Sequence, residues 1–332
     1  MDTFRTTIQL KPFPGKGITY LDRLFFLGSC FTSHIGSRMA SLHFRVCLNP
    51  FGILFNPASI TGCLERTHSG IPYSEEDLRL HNGLWYSLDH HSSFSQPDRT
   101  ACLHQINLQL VGAHEALAAS DVLLLTFGSA WAYRHRETGR IAANCHKLPE
   151  AEFDRFLLQP GFIAENCQKI LDLLRKDNPA LRVIFTVSPV RHLRDGMEGN
   201  QLSKSTLLLA IQQLLSSSEY CAYFPAYEIM MDDLRDYRFY EPDMVHPNST
   251  AIDYIWNKFS ELYFDRETRE IEAEVERLNQ ALRHRPLHPG GTAYLQFCEA
   301  QLRQISLLQE KYPFLALEEE EKHFLKALDR HA

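Results

Sequence analysis

Two short polar segments of this 332-residue chain contain the residue types of nucleophilic catalysis. Gly28, Ser29 and Cys30 follow an apolar run, at the point where a buried strand is expected to end and a helix to begin. Asp243 and His246 are three residues apart in the segment DMVHP. A hydroxyl is a weak nucleophile until a base removes its proton, and a histidine is an effective base when a carboxylate orients its ring. Together the segments predict a nucleophile, a general base and an orienting carboxylate.

Each segment also has a simpler interpretation. Glycine permits a tight turn and serine is a favoured N-cap, so residues 28–30 can be explained as a capped helix start. The Asp243–His246 spacing also occurs in loop caps and surface pairs. Cys30 is a rival nucleophile, because a thiol at a helix N-terminus can have a depressed pKa. Ser29 is preferred to Cys30, since the thiol comes one position later in the turn and is expected to pack beneath it.

Elements that would position these residues alternate in type along the chain. Short apolar runs predict strands at residues 24–27, 44–48, 122–127, 182–187 and 221–224. Apolar residues at three- and four-residue steps predict helices at residues 32–42, 57–67, 104–119, 162–176, 203–216 and 248–264. This alternation predicts an α/β fold with three layers, a mainly parallel sheet with helices on both faces.

Polar segments follow the predicted strands, where ligands bind in open α/β sheets. They are GSC at 28–30, NPFG at 49–52, FGSAW at 127–131 and SPVRH at 188–192. The segment with Asp243 and His246 comes just before the predicted helix at 248–264. These groups are therefore expected to converge on one edge of the sheet.

Two regions depart from the alternation. Residues 80–98 predict a short hairpin and a polar loop inserted before the third strand, from which His90 and His91 would line the cleft. From residue 266 the sequence becomes charged and amphipathic, with a breaker at RPLHPGG. We therefore expect a catalytic domain at residues 1–265 and a helical appendage at 266–332 that docks on it or on a second subunit.

Composition excludes several functional classes. A formal charge of −7 and a pI near 6.1, with no basic cluster, argue against nucleic acid as a partner. No secretory leader or membrane-spanning run is recognisable, so a cytoplasmic location without membrane association is expected. The eight scattered cysteines predict free thiols, and no zinc-type spacing occurs. No metal or cofactor is therefore expected.

Several ordered motifs resemble those of a known family. GSCF at 28–31, NPFG at 49–52, GSAWAYR at 128–134, NCHKLP at 144–149, SPVRHLRDG at 188–196 and DMVHPN at 243–248 are similar to the motifs of the GSCFA domain family. That family in turn resembles the SGNH/GDSL hydrolases, whose sheet is flavodoxin-like. The resemblance extends from about residue 20 to beyond 260, and the helical tail is also similar to that of GSCFA proteins.

The resemblance implies a role for each part of the predicted site. Ser29 would be the nucleophile, His246 the general base and Asp243 its orienting carboxylate. The amide of Gly52 would join that of Ser29 in binding an oxyanion.

One motif departs from the SGNH pattern. SGNH enzymes place an oxyanion-binding asparagine in the third motif, whereas this chain has Ala130 there. Ser129 or Asn144 could replace the missing donor, with His146 beside Asn144. The alternative for Asn144 is a turn residue that accepts from a backbone amide.

The SPVRH segment supplies two further candidates. Arg191 and His192 would contact an anionic or hydroxyl group of the substrate, or would instead lie in a solvated loop. Lys204 is expected to begin a helix rather than to contact a ligand.

The sequence therefore predicts a serine-dependent esterase or acyl hydrolase, with acyl transfer as the second reaction type. Its substrate would be a small polar molecule, such as a sugar derivative, that carries an ester or amide acyl group. The alternative is a ligand-binding or scaffolding protein on the same fold that has lost efficient catalysis, with self-association through the tail. The alanine at position 130 keeps that alternative open.

Overall fold

The computed structural model describes residues 6–11 and 15–329. In chain order the strands are β1 (Arg23–Gly28), β2 (Arg45–Leu48), β3 (Arg79–His81), β4 (Leu84–Tyr86), β5 (Val122–Phe127), β6 (Trp131–His135), β7 (Ile141–Ala142), β8 (Phe153–Leu157), β9 (Arg182–Val187) and β10 (Cys221–Phe224). The α-helices are α1 (Cys30–Ser41), α2 (Pro57–Ser69), α3 (Arg99–Ala118), α4 (Pro160–Asp177), α5 (Gly196–Ser217), α6 (Ala226–Glu228), α7 (Ser249–Tyr263), α8 (Arg266–Leu282), α9 (Thr292–Lys311) and α10 (Glu318–Asp329). A π-helical turn at Ile229–Asp233 follows α6.

A five-stranded parallel sheet in the order β10-β9-β5-β1-β2 forms the centre of the molecule. Counted among themselves in chain order, its strands lie 2-1-3-4-5, the order of a flavodoxin-like sheet. The predictions of an α/β fold and a mainly parallel sheet are confirmed. The strand order reverses between β1 and β5, where ligands of such sheets bind. The GSC segment therefore follows a strand at this switch point.

Alternate residues of β1 belong to different hydrophobic clusters, as expected for a strand with successive side chains on opposite faces. Phe25 and Leu27 pack with residues from α2, α3, α4 and α5. Leu24 and Phe26 pack with residues from α1 and α7 and from the C-terminal helices. The sheet is thus buried by apolar contacts on both sides, and its polar positions concentrate at the strand ends.

The structure corrects two predicted helix starts. The helix predicted at 104–119 begins earlier, at Arg99, because Asp98 caps it by accepting a hydrogen bond of 2.6 Å from the Ala101 amide. The helix predicted at 203–216 begins at Gly196, although glycines at 196 and 199 are usually helix breakers.

A small antiparallel sheet in the order β7-β6-β8 was not predicted from the sequence. Its strands are two to five residues long, so each has too few residues to show a clear alternation. The hairpin of β3 and β4 lies at the start of the polar region 80–98.

The C-terminal helices pack on the α/β portion of the chain. Ile271 and Val275 of α8 are buried in the same cluster as Trp256 of α7. The Trp256 indole donates a hydrogen bond of 2.7 Å to Glu272, so polar contacts reinforce the apolar ones. Within the residues described, no helix has both the length and the apolar character needed to cross a bilayer.

Candidate active site

The turn after β1 requires glycine at its first position. Gly28 has φ of +148°, and a Cβ there would lie 2.3 Å from the carbonyl oxygen of Thr126 on β5. Its amide donates to Asn49 Oδ1 at 2.9 Å, and Asn49 Nδ2 donates to Ser33 Oγ at 3.0 Å. Asn49 therefore joins the end of β1, the end of β2 and α1. No role was predicted for Asn49 from the sequence, although it begins the NPFG motif.

The two candidate nucleophiles differ in their exposure. Ser29 is only 2% exposed, and its buried hydroxyl has no hydrogen-bond partner among the described residues. It precedes α1 with an extended backbone, but its side chain does not cap the helix. Cys30 is the first residue of α1 and is partly exposed. Burial raises the pKa of its thiol, and its own backbone amide opposes that rise.

One face of α1 runs beside the segment that contains His246. Cys30, His34 and Arg38 follow one another at four-residue steps and therefore share a face of the helix. The pKa of His34 is lowered first by burial and second by the charge of His246. Arg38 forms an ion pair with Asp253 of α7, the helix that follows His246. Cys30 thus lies at the end of the α1 face that adjoins the His246 segment.

Asp243 and His246 are in direct contact. Asp243 Oδ2 lies 2.6 Å from His246 Nδ1, and its other oxygen accepts from the amides of Val245 at 2.9 Å and His246 at 3.0 Å. The two backbone hydrogen bonds are the main cause that lowers the pKa of Asp243 to about 2, and the hydrogen bond with the His246 side chain adds to their effect. The carboxylate is therefore charged and holds one ring nitrogen, which leaves Nε2 as the nitrogen that can take up a proton. The ring remains 42% exposed.

A buried lysine connects the ends of β5 and β9. Lys204 Nζ donates to the carbonyl oxygens of Gly128 at 2.8 Å and Ser188 at 2.7 Å. Burial is the main cause that lowers its pKa to about 7, and Arg191 adds to the effect. Lys204 lies in the middle of α5 rather than at a helix start, so that expectation was wrong. Its burial could have been predicted, because Lys204 shares one helix face with the apolar residues at 207, 211 and 214.

His192 belongs to the same neighbourhood. Its ring packs edge-on against Phe55, with centroids 5.7 Å apart. Burial lowers its pKa to about 4, and the charges of Lys204 and His246 act in the same direction. His192 therefore lies near enough to His246 for the charge of that residue to affect it.

Two predicted oxyanion donors are already engaged. The Gly52 amide donates to the Asn49 carbonyl oxygen at 2.7 Å, which closes the NPFG turn. The Ser129 hydroxyl accepts from the Trp131 amide at 3.1 Å and lies 3.3 Å from Ser203 Oγ. Both groups serve local backbone structure, so neither prediction is supported by the geometry.

The NCH segment is a structural loop. Asn144 Oδ1 accepts from the amide of His146 at 2.8 Å, as the turn interpretation expected. The ring of His146 contacts the Ser87 carbonyl oxygen at 2.9 Å and Ser95 Oγ at 3.4 Å. It also packs on Tyr86, with centroids 4.4 Å apart. The polar atoms of this loop therefore bind the region around residues 86–95 rather than facing His246.

His90 and His91, from the same region, contact the NPFG turn. His90 is 1% exposed, and its ring stacks on that of Phe51 with centroids 4.6 Å apart. A Cβ at Gly52 would lie 2.4 Å from His91 Cβ, so His91 covers the turn directly. His90 is a core residue rather than a residue of an open cleft.

The fold and these contacts define an α/β protein with an Asp–His pair and a Ser-Cys turn at the carboxyl edge of its sheet. The GSCFA family model matches residues 23–259, and the model described as GSCFA domain protein, C-terminal domain, matches residues 275–330. The chain belongs to the GSCFA family. No curated protein and no solved structure matches it. Over residues 6–11 and 15–329, no three His, Cys, Asp or Glu side chains are grouped as a metal site would require.

Proposed function

We propose that this protein is an acyl hydrolase or acyltransferase on a three-layer, SGNH-like fold. The observation that carries the proposal is the contact of 2.6 Å between Asp243 and His246. A carboxylate with a low pKa holds one nitrogen of a half-exposed imidazole, which is the arrangement that makes histidine a general base. The sheet adds support, because the turn with Ser29 and Cys30 lies at the switch point where ligands bind.

The proposed reaction uses a nucleophile from that turn. His246 Nε2 takes the proton of the nucleophile, whose sulfur or oxygen attacks the acyl carbon. The tetrahedral oxyanion is stabilised by first-turn amides of α1, which lack acceptors within the helix and are not capped by Ser29. His246 returns the proton to the leaving group. Water or an acceptor hydroxyl then releases the acyl group and regenerates the nucleophile.

Exposure favours Cys30 over Ser29 as that nucleophile. The Ser29 hydroxyl is buried and makes no hydrogen bond to His246, whereas Cys30 is partly exposed on the α1 face beside His246. Because burial raises the Cys30 pKa, the thiol needs a base to become a thiolate. We therefore place Cys30 first, contrary to the preference from sequence alone. A cytoplasmic location and a small polar acyl-bearing substrate stay predictions.

One observation favours the alternative of a binding or scaffolding protein. Among the described residues no hydroxyl or thiol is hydrogen-bonded to His246, so a complete triad is not assembled in this state. A binding protein needs no such triad. Turnover by single variants separates the two functions.

The decisive experiment measures hydrolysis of p-nitrophenyl acetate by the full chain and by Cys30→Ala, Ser29→Ala and His246→Ala. We expect Cys30→Ala and His246→Ala to lose about 10²–10⁴-fold in kcat/KM, the range of general acid–base catalysis. Ser29→Ala should keep most of the activity, and mass spectrometry should find acyl groups on Cys30. Equal activity in all four proteins would overturn the enzyme proposal, whereas loss confined to Ser29→Ala and His246→Ala would restore serine as the nucleophile.

A further inference from the structure

A cavity of about 350 Å³ lies beside the Asp243–His246 loop. Its wall includes Met197, Met230, Met231 and Met244, which are four of the six methionines in the chain. They come from the start of α5, from the π-helical turn and from the loop that leads to His246. Met244 is only two residues before His246. The cavity therefore opens at the same carboxyl edge of the sheet as the proposed base.

Arg191 lines this cavity, and among the described residues its guanidinium forms no ion pair with a carboxylate. Its guanidinium nitrogens lie 2.8 Å from the sulfur of Met231 and 3.6 Å from that of Met197. It also interacts with the hydroxyl of Tyr240. Thioether sulfur is a weak acceptor, and a guanidinium has five donors, so most of its hydrogen-bonding capacity is unused by strong acceptors.

The other charged residues of the cavity already have partners. Arg235 pairs with Asp232. The Asp236 carboxylate accepts from the amide of Arg238 at 2.9 Å and lies 3.8 Å from its side chain. Within the part of the chain that the structure describes, Arg191 is thus the cation of this cavity without an ion pair.

These features specify the chemistry of a ligand. Methionine side chains adapt their shape to apolar groups and suit flexible chains. Arginine binds carboxylates and phosphates through paired hydrogen bonds. The volume is near the lower end of the roughly 300–1,000 Å³ found for small-molecule sites, so a short chain fits better than a large ring system.

We propose that this methionine pocket binds the part of the substrate that has a short apolar chain and an anionic group. The chain would contact the three accessible methionines, Met197, Met231 and Met244, and the anion would pair with Arg191. The role of the pocket in turnover rests on the proposed function, because its position beside His246 is what makes it a substrate pocket. Its ligand chemistry does not depend on turnover and can be tested by binding alone.

Calorimetry on the full chain with hexanoate, hexanol and acetate tests this proposal. Hexanoate has both features, hexanol has only the chain, and acetate has only the charge. We expect hexanoate to bind about tenfold or more tightly than either of the others, since only hexanoate combines the apolar chain with a charge, and hydrogen bonds to charged groups are stronger than neutral ones. Equal affinity for all three would overturn the proposal.

Single variants separate the contribution of the Arg191 charge to binding from that of the methionines. Arg191→Gln should weaken hexanoate about tenfold and leave hexanol unchanged. Met197→Gln and Met244→Gln should weaken both ligands. Leu209→Gln is the matched control, because Leu209 is also on α5 and is 58% exposed against 57% for Met197. An equal loss of binding in Leu209→Gln and Met197→Gln would contradict the pocket.

His246→Ala separates the pocket from the catalytic proposal. This variant should bind hexanoate like the native protein, because the pocket does not need a base. If the native chain binds hexanoate but does not hydrolyse p-nitrophenyl acetate, the enzyme proposal is refuted and the pocket proposal stands. If it hydrolyses the ester but does not bind hexanoate, the pocket proposal is refuted and the enzyme proposal stands.

Discussion

The loops at residues 243–248 and 144–149 contain similar residue types but use their histidines differently. His246 is 42% exposed at its side chain and contacts Asp243 through one ring nitrogen. His146 is 9% exposed, and both of its ring nitrogens contact oxygens of residues 87 and 95. A histidine can transfer protons only when a nitrogen is open to a reactant. The comparison therefore assigns chemistry to the first loop and structure to the second.

The largest expected difference is in activity. His246→Gln should lower the hydrolysis of p-nitrophenyl acetate about 10²–10⁴-fold, because it removes the general base. His146→Gln should retain the native rate per folded molecule. Steady-state kinetics on protein whose folding is checked by circular dichroism measures both. A comparable loss in the two variants would abolish the distinction between the loops.

Stability should show the opposite order. His146→Ala should lower the free energy of unfolding by about 1–3 kcal/mol, since it leaves the buried acceptor of Ser87 without its donor. His246→Ala should change it by less than about 0.5 kcal/mol, as is usual for an exposed site. Urea denaturation of both variants gives these values. A larger cost for His246→Ala would mean that its loop is structural.

The third prediction concerns the dependence of stability on pH. Burial lowers the pKa of His146 to about 4, against about 6.5 in an unfolded chain. Between these two values the unfolded chain binds more protons, so stability should fall as the pH is lowered from about 6.5 to about 4. The slope from one such proton is at most about 1.4 kcal/mol per pH unit.

His146→Gln isolates this contribution. Urea denaturation at several pH values should give a shallower decrease for the variant than for the native chain. Part of the decrease should persist, because burial also lowers the pKa of His90, to about 3. Identical slopes for the two proteins would show that His146 does not titrate as its burial requires.

The parallel sheet was predictable because its strands are continuous apolar runs, as in β1 and β5, where five or six residues are buried. The Asp243–His246 contact was also predictable, since three residues of one turn cover the distance between them. The small sheet of β6, β7 and β8 was not, because its short strands depend on pairing with residues distant in sequence. Patterns of neighbouring residues thus identified long strands and contacts within one turn, but not short strands that depend on distant partners.

The sequence by itself determined the family, the parallel α/β framework and the two segments that could do chemistry. Tertiary structure decided which polar groups are available. It buried the Ser29 hydroxyl, used the Gly52 amide in a turn, placed Lys204 between two strand ends and left Arg191 beside four methionines. The physical reason is that apolar periodicity is set by neighbours along the chain, whereas exposure and hydrogen-bond partners are set by residues brought together only by folding.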